Sequence, residues 1–151
     1  MKQISLGDRK LAITNIVVAY IAFLIGTFCG LMQVFIRNDA LTLPPWLDYY
    51  QILTAHGVLL ALIFTTYFIF AFLISGMSYS LGAFGPKVRS FSWLGFIVTT
   101  SGTILATVEI IAGKASVLYT FYAPLQASGW YYVGLALFVV GTWIYSFALI
   151  G

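Results

Sequence analysis

Residues 49–75 read YYQILTAHGVLLALIFTTYFIFAFLIS and contain no Asp, Glu, Lys or Arg. About 20 mostly apolar residues are enough for a helix to cross a bilayer, so this stretch predicts a transmembrane helix. His56, the only histidine of the chain, falls inside it, about two helical turns from its start. Three further stretches of the same kind flank it. Residues 11–36 are uncharged, residues 91–112 contain one acid, Glu109, and residues 130–151 are uncharged. The expected fold is therefore all-α: a bundle of four transmembrane helices in one membrane domain over residues 1–151. The first stretch reads as a span and not as a cleavable signal, because it is too long for a signal core and no small-residue cleavage site closes it.

Composition agrees. Apolar residues are 62% of the 151, aromatic residues 18% and charged residues 7%. A soluble domain carries about 25% charged residues; this chain has too few to cover a water-facing surface. Disorder is excluded by the same numbers. One cysteine, Cys29, excludes an internal disulfide framework and any multi-cysteine metal site. One histidine excludes an all-histidine metal site within one copy. The net charge of +3 comes from few side chains, so it reads as membrane orientation and not as nucleic-acid binding.

The connections carry the polar punctuation. Residues 37–48 hold Arg37, Asp39, Pro44, Pro45 and Asp48; residues 76–90 hold Pro86, Lys87 and Arg89; residues 113–129 hold Lys114 and Pro124. No internal repeat is visible. Lys2, Arg9, Lys10, Lys87 and Arg89 lie on one side of the predicted membrane, against Arg37 and Lys114 on the other. The positive-inside rule then places the N-terminus and the second connection in the cytoplasm. Trp46, Tyr49, Tyr50, Trp130, Tyr131 and Tyr132 fall at the predicted outer boundary, where an aromatic belt is expected, and Trp93 falls at the inner one. The fourth stretch reaches Gly151 without a closing basic flank. This suggests the front part of something longer; the alternative is a complete four-helix protein with a bare C-terminus.

An imidazole inside a bilayer is costly and usually faces protein or cofactor, and histidine is the usual axial ligand of heme iron. Gly57 follows His56, and its missing side chain leaves room for a flat macrocycle. Leu53, Leu59, Leu60 and Ile63 lie at helical spacings that would wall such a pocket. The competing reading is a neutral core histidine bonded to a carbonyl one turn away. Glu109 is either a proton-relaying carboxylate or an interfacial acid paired with Lys114 or Arg37. Thr65, Thr66, Thr99, Thr100, Ser101 and Thr103 either line a polar path or bond carbonyls four residues back and bridge helices. Gly26 and Gly30 form a G-x-x-x-G pattern that predicts close helix approach. Cys29 between them reads as packing.

The segment Tyr49-Tyr50-Gln51-Ile52-Leu53-Thr54-Ala55-His56-Gly57-Val58-Leu59 resembles the second helix of subunit I of heme–copper oxygen reductases, closest to the B-type, cytochrome ba branch. The segment Ala115-Ser116-Val117-Leu118-Tyr119-Thr120-Phe121-Tyr122-Ala123-Pro124-Leu125 resembles the family's A-T-V-L-Y-T-F-Y-P-P-L, and Gly141-Thr142-Trp143-Ile144-Tyr145 continues the likeness. Ala123 departs from the pattern, standing where the family has the first of two prolines. The resemblance implies that His56 is an axial ligand of a low-spin heme b. It implies that Tyr119, Thr120 and Tyr122 lie over the heme propionates, to which hydroxyls donate well.

Family members have about a dozen spans, and the second heme b ligand, the oxygen-reactive heme ligand and the copper ligands lie on later helices. The chain is thus expected to hold no copper site. It would be the heme b-binding front part of an integral protein of the prokaryotic plasma membrane, passing electrons to a heme–copper centre carried by missing segments. Its partners would be membrane lipids and the remainder of subunit I or other oxidase subunits. The intact relative would be a proton-pumping oxygen reductase of the respiratory chain, fed by cytochrome c or quinol. Two other readings stand beside it. One is a stand-alone heme protein in which two copies of His56 hold one heme across a dimer, giving half a heme per chain. The other is a structural membrane subunit without cofactor.

Overall fold

The computed structural model describes residues 4–150; Lys2 and Gly151, used in the sequence reading, lie outside the described residues. Four helices follow one another: α1 (Leu6–Arg37), α2 (Tyr49–Leu81), α3 (Pro86–Ile111) and α4 (Gly129–Ile150). All four are long and apolar enough to cross a membrane. Within α2, Tyr49–Gly57 and Thr65–Leu81 are α-helical, and Val58–Phe64 between them is π-helical. Among the described residues no strand forms; one isolated antiparallel bridge joins Ala115 to Ala127 in the α3–α4 loop.

Local chemistry sets the helix ends. The Ser5 hydroxyl accepts from the Asp8 N–H at the start of α1. Asp48 and Gln51 form a reciprocal capping box at the start of α2. Gly82, at φ 104°, closes α2 in a conformation that side chains disfavour. Pro86 opens α3, where its missing N–H costs nothing.

At the end carrying Lys10 and Arg89, the helices run past the uncharged stretches. Asp8 makes this possible. Its side chain is fully buried, yet it accepts hydrogen bonds from Ser78 Oγ (2.8 Å), Phe84 N (3.0 Å) and Arg89 (Nε 3.0 Å, Nη2 2.9 Å). A paired and fully hydrogen-bonded charge can be buried where a lone one cannot. Hydropathy sees only the charge.

The helices pack as two antiparallel pairs, α1 with α2 and α3 with α4. Glycines set the second seam. A Cβ on Gly102 would lie 2.5 Å from the backbone nitrogen of Phe138, and one on Gly134 would lie 2.7 Å from that of Ala106. Gly95 and Gly141 meet the facing backbone in the same way, so bare backbones touch along this seam. Gly26 and Gly30 do face α2, but what they meet there is side chain: Leu60 and His56.

Tyr145 ties the pairs together. Its hydroxyl accepts from Asn15 Nδ2 at 2.7 Å, and its ring stacks on Phe70 with centroids 4.2 Å apart. The Tyr67 hydroxyl meets Thr100 Oγ1 at 2.8 Å. Thr65, Thr99 and Thr103 bond carbonyls four residues back, so these hydroxyls serve the helices themselves. Of the expected aromatic belt, Trp46 and Trp130 are exposed, but Tyr131 is fully buried. It belongs to the core and not to the belt.

Candidate cofactor site

The site grows from the start of α2. The capping box fixes where the helix begins, and so which face carries His56. The His56 ring reaches across to α1, where its Nδ1 lies 2.8 Å from the carbonyl oxygen of Gly26. A carbonyl only accepts, so the Nδ1–H donates, and in the Nδ1–H tautomer the ring lone pair lies on Nε2. This is the arrangement a metal-ligating histidine requires: one nitrogen anchored, the other free to bind. The carbonyl stands on a neighbouring helix, not one turn away on α2 as the competing sequence reading had it. Gly30 makes the approach possible, since a Cβ there would lie 2.7 Å from His56 Cε1.

His56 lines a groove of about 470 Å³ together with Thr27, Gly30, Leu31, Gln33, Val34, Arg37 and Leu60. That volume lies within the usual range for small-molecule and cofactor sites. Leu60 is a wall residue as expected. Leu59 and Ile63 are buried in the core instead, and Leu53 is not part of the groove lining. The π-helical segment accounts for part of this. Its i→i+5 bonding widens the turn, so α-helical spacing misplaces faces beyond Gly57.

The α3–α4 loop covers the neighbouring face of α2. The Leu118 N–H donates to Thr54 Oγ1 at 2.9 Å, and Thr54 Oγ1 donates to the Tyr50 carbonyl at 2.7 Å. The space above Gly57 admits the Tyr119 ring: a Cβ on Gly57 would lie 2.6 Å from Tyr119 Cδ1. Gly57 therefore makes room for a tyrosine and not for an open slot. Leu118 and Phe121 adopt positive φ values of 61° and 55°, and the Tyr122 N–H returns to the Val117 carbonyl at 2.9 Å. Tyr119, Thr120 and Tyr122 are all exposed in this tight turn.

Glu109 pairs with neither Lys114 nor Arg37. It is buried, and it accepts from the Ser128 hydroxyl, which in turn accepts from the Tyr131 N–H at the start of α4. The duller sequence reading, an interfacial ion pair, is thus corrected: a helix-opening serine satisfies the carboxylate. Cys29 is half-buried and lines an apolar cavity between α1, α2 and α3.

Sequence reasoning missed Gly26, Thr54 and Arg37 as parts of the site. The G-x-x-x-G pattern was the available signal for the first, but it spoke of helix contact and not of a histidine acceptor. Among the described residues no three His, Cys, Asp or Glu side chains gather. A single oriented imidazole beside a groove fits a metal that brings its own equatorial ligands, as a heme does.

Comparison with known proteins defines the class. Residues 10–151 match the family described as cytochrome c and quinol oxidase polypeptide I. The chain is 31% identical over 144 residues to cytochrome c oxidase subunit 1 of Thermus thermophilus, a match covering 91% of this chain and 25% of the relative. It also superimposes with a TM-score of 0.83 and 34% identity on a chain of a heme–copper terminal oxidase dimer solved by cryo-electron microscopy, covering 95% of this chain and 25% of that one. The four apolar helices and these relatives define an integral membrane protein of the oxidase class. The chain belongs to the cytochrome c and quinol oxidase polypeptide I family, and it spans about a quarter of the length of the relatives it matches.

Proposed function

We propose that this chain is the low-spin heme b-binding part of an oxygen-reducing terminal oxidase, with His56 as an axial ligand through Nε2. The observation that carries the reading is the Nδ1 contact to the Gly26 carbonyl. It fixes the tautomer, holds the ring plane and raises the basicity of the free nitrogen. The groove beside His56 and the hydroxyl-bearing loop at Tyr119, Thr120 and Tyr122 support it.

A heme bound there would supply one-electron redox chemistry. The residues of this chain do the rest. His56 would hold the iron from α2 through Nε2, its ring steadied by the Gly26 carbonyl of α1. Gly30 keeps the ring from being pushed aside. Leu31, Val34 and Leu60 would give the macrocycle an apolar wall. Tyr119, Thr120 and Tyr122 offer hydroxyl donors to propionates. The second heme ligand, the copper ligands and the oxygen-reactive heme would come from further oxidase segments or subunits. The excess of Lys and Arg at one end supports a cytoplasmic N-terminus, and the Thermus relative supports a prokaryotic plasma membrane.

Heme stoichiometry tests the reading. The protein is purified in detergent from membranes together with its oxidase partners, and heme b is quantified per chain by the pyridine hemochrome method. One low-spin heme b per chain, lost on His56→Ala, is expected. Half a heme per chain would point to a heme shared between two copies, and no heme would leave a structural subunit.

A further inference from the structure

Arg37 sits at the last turn of α1 and lines the same groove as His56. Its Nε donates to the Tyr49 hydroxyl at 2.7 Å, and its guanidinium carbon lies 5.6 Å from the centre of the Tyr49 ring. Tyr49 is on the same α-helical segment as His56 and seven residues before it, a rise of roughly 10 Å. The groove thus has an imidazole at one level and a guanidinium about two turns above it. Among the described residues the ion pair formed is that of Arg89 with Asp8, and Arg37 takes no carboxylate. An arginine has five donors arranged in a planar fork. One of these is spent on Tyr49, and the terminal nitrogens, the pair suited to a carboxylate, make no bond to the described residues.

We propose that Arg37, held by Tyr49, is the carboxylate anchor of the His56 groove, binding a propionate of the macrocycle that His56 ligates. The inference rests on the heme reading above. It assigns to α1 a role that the hydroxyls of Tyr119, Thr120 and Tyr122 do not fill, because only Arg37 brings a positive charge to the groove. Charge decides the matter: a charge-assisted bond contributes about twice a neutral one. It also acts on the iron, since a fixed cation nearby favours the reduced, less positive state.

The test uses the full chain in its native membranes, produced without heme and then titrated with hemin and with hemin dimethyl ester. In the ester the propionates are uncharged. Arg37→Gln is expected to weaken hemin binding about ten- to hundredfold and to leave ester binding unchanged. Arg37→Lys should lie between, keeping charge but losing the fork. In hemin-loaded protein Arg37→Gln should also lower the heme midpoint potential.

Equal loss for hemin and its ester, or no loss for either, would overturn the assignment. So would an Arg37→Gln protein that binds hemin normally but retains less phosphatidylglycerol on purification, which would make the bound anion a lipid headgroup. The heme reading fails separately: if His56→Ala keeps the low-spin spectrum, His56 is not the ligand, and the anchor falls with it.

Discussion

His56 of α2 and Gly26 of α1 are joined by a single hydrogen bond, from imidazole Nδ1 to backbone carbonyl, 2.8 Å long. A backbone carbonyl cannot be removed by changing a side chain, so the tautomer of His56 is set by the helix itself. What substitution can disturb is the space around the ring. Gly30→Ala places a methyl group 2.7 Å from His56 Cε1. Overpacking of this kind costs on the order of 1–3 kcal/mol. The expected result is displacement of the ring, with reduced heme content and a weaker low-spin spectrum, while the helical circular dichroism is retained. Unchanged heme content in Gly30→Ala would show that the ring does not depend on this approach.

The α3–α4 seam makes a prediction about stability alone. Gly102→Ala and Gly134→Ala each push a methyl group against facing backbone, which cannot move aside as a flexible side chain can. Each should lower stability by roughly 1–3 kcal/mol or more, read as a lower midpoint of thermal unfolding in detergent. Gly76→Ala is the control, since nothing lies within 4 Å of its added methyl, and within a helix it should be neutral or stabilising by up to about 1 kcal/mol.

At the other end of the bundle, Asp8 and Arg89 form a pair in which the carboxylate is entirely buried. Removing Arg89 leaves that charge uncompensated, which in buried sites costs about 3–5 kcal/mol. Arg89→Gln is therefore expected to be strongly destabilising, and the double variant Asp8→Asn with Arg89→Gln less so. Denaturation midpoints of the two single variants and the double variant test this. Additive losses would contradict the pairing.

Glu109 and Ser128 give a discriminating pair of outcomes. Ser128→Ala removes both the donor to Glu109 and the acceptor for the Tyr131 N–H, and loss of a helix-start serine costs about 1 kcal/mol. Lys114→Ala should have no effect, because Lys114 forms no ion pair with Glu109. If Lys114→Ala destabilises as much as Ser128→Ala, the interfacial ion pair is restored as the better description.

The four helices were legible in the sequence because each carries a long uncharged run, and hydropathy needs nothing else. Their ends at Asp8 and Arg89 were not, because a buried ion pair counts as two charges until its geometry is known. His56 stood out as the one histidine in an apolar stretch, but its acceptor is thirty residues away on another helix, a distance that no local spacing encodes. Tyr131 as a belt residue and Glu109 as an interfacial acid failed for a common reason. Both sit near the predicted boundary, and only packing decides which boundary residues turn inward. Beyond Gly57, Leu60 does wall the groove, while Leu59 and Ile63 turn into the core, because Val58–Phe64 is π-helical and α-helical spacing assigns some faces wrongly there.

The most direct test of the central claim is the dithionite-reduced minus oxidised spectrum of the protein purified together with the oxidase segments that supply the second ligand, recorded beside that of His56→Ala. The account predicts a sharp low-spin b-type band in the parent protein, absent in the variant, with helical content unchanged. A band of equal position and intensity in His56→Ala would contradict it and move the heme ligand elsewhere.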